Sequence, residues 1–296
     1  MSSFSKETQR ELSEAVMMLP QEKLQSIGSK RKRLYIGIPK ENSMQENRVA
    51  LTPESVQLLV NNDHRVLVET GAGEASHFSD NEYSEAGAEI AYSTKQVYEA
   101  DLILKVEPLV DEEMEYLKPK QVLISAMQLT VQPKNYIKNL MQKKVTAIAW
   151  DYIADESGVL PIVRSMGEIA GTTSIHIAAE CLNNINGQGI MFGGITGVPP
   201  TSVVIIGAGT VGEYAARAGL GLGADVRVFD DSIARLKRLQ TAIGQRISTS
   251  TLQPKVLAKA LMRADVAIGA IRSVKGRTPC LVNEEMVRQM KPSSVI

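Results

Sequence analysis

Residues 203–230 constrain this chain more than any other stretch. Val203-Val204-Ile205-Ile206 is an unbroken β-branched run, the pattern of a strand buried on both faces. Gly207-Ala208-Gly209-Thr210-Val211-Gly212 follows at once. Glu213 to Leu222 reads as a helix with small residues towards that strand, and Asp225 to Asp230 as a second strand ending in an acid. Strand, glycine turn, helix and strand in that order make a parallel βαβ unit.

Each part of the unit has a physical task. Gly207 permits a tight turn, Gly209 lets backbone approach a pyrophosphate, and Gly212 lets the helix lie close to the strand. The amides from Gly207 to Gly212, including those of Ala208, Thr210 and Val211, sit where a helix N-terminus offers free N–H groups to phosphate. Asp230, 23 positions after Gly207, is placed to accept from a ribose 2′-hydroxyl. Its carboxylate would repel a 2′-phosphate by about 4 kcal/mol at 4 Å and an effective dielectric near 20. The expected cofactor is therefore NAD rather than NADP. Asp231 is a second candidate, ranked below Asp230 because Asp230 stands at the strand end.

Composition narrows the class. The 296 residues suffice for two domains, and 44% hydrophobic with 22% charged residues describes an ordinary soluble globular chain. Lys plus Arg equals Asp plus Glu, 33 each, so charge points to neither nucleic acid nor an anionic membrane. No apolar run approaches the roughly 20 residues that span a bilayer, and the N-terminus has no signal-peptide core. The expected location is the cytoplasm. Cys181 and Cys280 form no disulfide framework and read as small core residues. No H-x-H or C-x-x-C spacing occurs and Glu74-Ala75-Ser76-His77 is a lone E-x-x-H, so no metal site is expected.

Residues 1–33 read as an extension, with a helical stripe of Leu12, Ala15, Val16 and Leu19 stopped by Pro20, then a basic linker. Residues 34–163 read as a first α/β domain. Its expected strands are 34–38, 65–69, 102–106, 122–125 and 145–149, with helices starting at Pro53 behind the cap Thr52 and at Asp80. Residues 164–296 read as the dinucleotide domain, entered through a helix from Glu168 to Asn183 and a Gly/Pro-rich loop to Pro200. Further elements are expected at 264–270 (strand), 284–290 (helix) and 293–296, where a strand opens. A doubly wound sheet wants that strand completed, so the chain reads as part of a longer protein.

Several segments together resemble the alanine dehydrogenase and nicotinamide nucleotide transhydrogenase α-subunit family. They are IGIPKENSMQENRVALTP (36–53), FSDNEYSEAGA (78–88), LILKVEP (102–108), GEIAG (167–171), GGITGVPP (193–200), GAGTVGEYAARAGLGLGADVRVFD (207–230) and ADVAIGAIRSVKGRTP (264–279). The resemblance covers about residues 34–296. It implies two Rossmann-like, doubly wound parallel-sheet domains with a cleft between them. It also implies NAD-dependent oxidative deamination of L-alanine to pyruvate and ammonia, in a homo-oligomer that is a hexamer or a dimer. The alternatives are the NAD(H)-binding subunit of a proton-translocating transhydrogenase, or a related amino-acid dehydrogenase with an altered substrate site. The stretch 160–171 looks more like the dehydrogenase version, although Gly167 stands where that branch has Ser.

On the same resemblance, Arg48 is the substrate-carboxylate arginine and Lys105 the active-site lysine. Gln128 stands where the dehydrogenases carry a catalytic histidine. The family's fourth group, an aspartate, falls beyond Ile296. Gln hydrogen-bonds a carbonyl oxygen but does not exchange a proton near neutral pH. The expectation is a chain that binds NAD and turns over alanine poorly. His64, His77 and His176 read as structural or solvated rather than as substitutes for that histidine.

Overall fold

The computed structural model describes residues 33–43, 45–185, 187, 189–271 and 280–296. The expected N-terminal helix and basic linker, up to residue 32, and the 272–279 end of the last family-like segment lie outside the described residues. Tyr35–Ile296 forms one compact unit, and it is α/β throughout with two parallel sheets.

The first sheet has the order β3-β2-β1-β4-β5-β6. Its strands are β1 (Tyr35–Ile38), β2 (Arg65–Glu69), β3 (Glu89–Ala91), β4 (Leu102–Leu104), β5 (Val122–Ser125) and β6 (Thr146–Ala149). Between them run α1 (Pro53–Asn61), α2 (Asp80–Glu85), α3 (Thr94–Val97), α4 (Asp111–Tyr116) and α5 (Lys134–Lys143). Thr52 caps α1 through its side chain with Pro53 in the first turn, as its sequence predicts. Ser79 and Glu82 form a reciprocal capping box on α2.

The second sheet has the order β10-β7-β8-β9, built from β7 (Ser202–Ile206), β8 (Asp225–Phe229), β9 (Ser248–Ser250) and β10 (Val266–Gly269). With it go α6 (Pro161–Leu182), α7 (Thr210–Gly221), α8 (Ile233–Ile243), α9 (Pro254–Leu261) and α10 (Glu284–Arg288). Val203, Val204 and Ile205 are buried on both faces of β7. Full burial of each such side chain contributes about 1.5–3 kcal/mol.

In both sheets the strand order reverses once, between β1 and β4 and between β7 and β10. Crevices at the carboxyl ends of such reversals are where open α/β sheets bind ligands. Both candidate sites lie there.

Several expectations are corrected. The helix expected from Glu168 starts at Pro161, so residues 161–167 are helical as well. Proline at the first helical position is pre-set for it; the glycines at 167 and 171 serve packing instead. A Cβ on Gly171 would strike the Val211 carbonyl oxygen and lie 2.9 Å from the Ala215 nitrogen, so α6 and α7 touch backbone to backbone there. Gly171→Ala is expected to destabilise the fold by about 2 kcal/mol, read as a lower denaturation midpoint; an unchanged midpoint would show that the crossing is not tight. Helix α7 starts at Thr210, not Glu213, because Gly209 is its extended N-cap. The expected 102–106 strand stops at Leu104. Residues 293–296 contribute one parallel bridge, Val295 to Val266, rather than a strand. Cys280 is exposed, not a core residue, and Cys181 is only partly buried. Among the described residues no helix is long and apolar enough to cross a membrane.

Candidate active site

The dinucleotide-type turn forms at the β7–β10 reversal. Gly207 has φ of +117°, and a Cβ there would lie 2.4 Å from the Ala270 carbonyl oxygen as the main chain crosses β10. Only glycine meets both demands. A Cβ on Gly212 would collide with the Gly207 carbonyl oxygen, so the first turn of α7 closes directly onto the strand end. Gly209 is the opposite case, with nothing within 4 Å of its Cβ position. It caps α7 with no side-chain hydrogen bond, which leaves first-turn amides facing open space. Glycine at that position and bare helix amides fit a diphosphate.

Asp230 follows β8 and is 3% exposed. Its Oδ2 accepts from the Ala208 amide at 2.8 Å and its Oδ1 from the Ser232 amide at 2.8 Å. Burial alone would raise this carboxyl, but the two amides, Asp231 and Arg235 outweigh it and hold the pKa below the ordinary value. Asp231 is exposed.

The second cluster forms at the β1–β4 reversal. Arg48 lies in the loop after β1. Its Nε and Nη2 grip the two carboxylate oxygens of Glu46 at 2.7 and 2.6 Å. Its Nη1 reaches Met166 Sδ on α6 at 3.1 Å. The Glu46 bond holds the guanidinium pKa above its usual value and the Glu46 carboxyl below its own. Glu107 and Glu41 add smaller attractions to Arg48.

Lys105 follows β4, and its side chain is 1% exposed. The ammonium donates to Glu113 at 2.7 and 3.0 Å and stands 3.3 Å from Glu41. Glu41 also accepts from the Val106 amide at 2.7 Å and the Glu107 amide at 3.4 Å. Backbone pairing with β5 nevertheless continues past Leu104, from the Lys105 N–H to the Ile124 oxygen at 2.9 Å and from the Ala126 N–H to the Val106 oxygen at 3.2 Å. Burial raises the Glu41 pKa, and Lys105 opposes that.

Gln128 is exposed beyond β5, in the left-handed region at φ +44°. Asp151, 7% exposed in the turn after β6, holds that conformation by accepting from the Met127 and Gln128 amides at 3.0 and 3.1 Å.

Glu41, in the same loop as Arg48, pairs with Lys105, while Arg48 itself contacts Glu46 and reaches α6. On α6, Gly167 adjoins Met166, and a Cβ there would lie 3.4 Å from Thr210 of the glycine turn. The candidate substrate arginine and the candidate cofactor turn therefore flank the same helical turn. His64, His77 and His176 take no part in the contacts described for this cluster. Sequence reasoning missed Glu41, Glu113, Asp151 and Met166. Glu41 belongs to the quoted family-like segment; nothing local marked the others.

The chain matches the family model described as alanine dehydrogenase/PNT, N-terminal domain, over residues 37–170. It matches the corresponding C-terminal domain over 174–296. The chain belongs to the alanine dehydrogenase/PNT family. Alanine dehydrogenase of Bacillus subtilis (strain 168) is 43% identical over 264 residues, which cover 89% of this chain and 69% of that protein. A solved L-alanine dehydrogenase superposes with a TM-score of 0.79 at 35% identity, covering 88% of this chain and 72% of the other. The transhydrogenase from Sinorhizobium meliloti gives 0.75 at 27% identity, with 88% and 76% covered. The resemblance and the two-sheet Rossmann-like architecture expected from sequence are borne out.

Proposed function

We propose that this chain is an NAD-dependent alanine dehydrogenase, reversibly converting L-alanine, water and NAD⁺ to pyruvate, ammonia (released as ammonium), NADH and a proton. The observation that carries the reading is the seat of Arg48. Its guanidinium abuts Met166, one residue from Gly167 beside Thr210 of the glycine turn. A carboxylate held there lies next to the turn that takes the cofactor. Residues 34–163 are assigned to substrate and 164–296 to cofactor.

The Gly207–Gly212 turn would hold the diphosphate through its amides from Gly209 onward, because those of Gly207 and Ala208, expected from sequence to face phosphate, donate to Phe229 and Asp230 instead; Asp230 would hold the adenosine ribose. The nicotinamide supplies the hydride acceptor for Cα. Arg48 orients the substrate. Glu46 occupies its Nε/Nη2 edge, which leaves the Nη1/Nη2 edge for a second carboxylate. Lys105 acts through Glu41, which ties the Arg48 loop to the end of β4. Gln128 is suited to hydrogen-bond the nascent carbonyl oxygen but not to carry its proton. The apolar exposed positions Ile162, Ile169 and Ile177 along α6 support a homo-oligomer, hexamer or dimer, and the cytoplasm is the proposed location. NADH formation from alanine, and its consumption with pyruvate and ammonium, tests the activity; absence of both in a chain that binds NADH would sink it.

The second reading, a transhydrogenase NAD(H)-binding subunit, draws on Gln128. Alanine-dependent NADH formation decides against it.

Gln128→His is expected to raise kcat for alanine by roughly 100-fold, the lower range for a positioned acid–base group. Histidine tolerates positive φ better than most residues. A new limb near pH 6.5, the ordinary histidine value, should appear in the kcat–pH profile, with activity rising as the ring deprotonates. An unchanged kcat and profile would show that proton transfer does not limit the reaction.

A further inference from the structure

Ala208 is held on both sides. Its N–H donates to Asp230 Oδ2 at 2.8 Å, and its carbonyl oxygen accepts from Arg238 Nη2 at 3.1 Å. The residue is fully buried, so the two bonds fix its backbone. In a trans peptide the carbonyl and the following N–H point in opposite directions. Drawing the Ala208 carbonyl towards Arg238 therefore turns the Gly209 N–H the other way. That N–H has no acceptor among the described residues, and the space beside Gly209 is open.

We propose that Arg238, on α8, is a positioning residue for the diphosphate turn: with Asp230 it clamps Ala208 and so aims the Gly209 amide at the phosphates. This rests on the NAD reading above. It gives Asp230 a second duty beyond the ribose, as one jaw of the clamp. It also assigns a role to a residue outside the glycine turn and its terminal acid.

Arg238 is exposed at mid-helix, where methionine is a comparable helix former, so Arg238→Met should fold. The test is titration of the full chain, wild type and variant, with NADH, ADP and adenosine. High ionic strength screens long-range attraction by the lost charge. Arg238→Met should weaken NADH and ADP by roughly tenfold or more, as loss of a charge-assisted bond implies. Adenosine, which has no phosphate, should bind within twofold of wild type. Arg238→Lys, which keeps a charged donor, should recover part of the loss. Unchanged NADH and ADP affinity, or a parallel loss for adenosine, would overturn the clamp. A wild-type chain that binds neither NADH nor ADP overturns both the clamp and the cofactor assignment. One that binds NADH without oxidising alanine overturns only the alanine reading.

Discussion

Arg48→Lys should lower kcat/KM for L-alanine by about two to three orders of magnitude and leave NADH affinity unchanged. Arginine presents two bidentate edges, and here Glu46 occupies one of them at 2.7 and 2.6 Å. The other, whose Nη1 also faces Met166 Sδ at 3.1 Å, is the edge proposed for substrate. Lysine offers a single point charge that cannot be braced by Glu46 and grip a second carboxylate in a fixed plane. Two charge-assisted bonds at about 1.5–3 kcal/mol each set the scale, and 1.36 kcal/mol is tenfold in rate. The loss should fall on kcat/KM, because a misoriented amino acid presents the wrong Cα–H direction. Retention of kcat/KM within threefold would remove Arg48 from the substrate site. NADH titration separates that outcome from damage to the fold.

The second sheet was legible because its signals are local. A β-branched run, three glycines and an acid specify β7, the turn and β8 within 30 residues, and the structure places them as their sequence predicts. The first-sheet cluster was legible only as names. Motifs marked Arg48 and Lys105, but where a side chain points depends on partners that the sequence does not set beside it. Glu41 and Glu113 come from different loops and elements, and they capture Lys105 only after β1 and β4 pair. Helix α6 was misjudged for a related reason. Gly167 carries poor helix propensity, yet α6 runs through it from Pro161, and at Gly171 packing requires a bare backbone where α6 meets Val211 and Ala215. The three-residue strands β3 and β9 are too short for periodicity to register.

Lys105 separates a residue that touches substrate from one that holds the scaffold. Lys105→Met should destabilise the chain by about 3–5 kcal/mol, the cost of removing one partner from a buried ion pair. It leaves Glu113 and Glu41 with side chains 2% and 5% exposed and no cation between them. Burial already raises the Glu41 pKa with Lys105 in place. The folded state thus keeps that proton to higher pH than the unfolded chain does, and ionising it costs stability as pH rises through this window. Without the ammonium the penalty grows. The deficit of Lys105→Met should therefore narrow towards acid pH, as the Glu41 carboxyl becomes neutral in the folded state. Chemical denaturation of wild type and variant across the acid-to-neutral range measures it. Lys105→Met/Glu113→Gln should recover a large part of the loss, because one buried carboxylate is gone while an acceptor for the Val110 amide, now 3.0 Å from Glu113, remains. A variant as stable as wild type but without alanine turnover would instead mean that the ammonium leaves its two carboxylates to meet substrate.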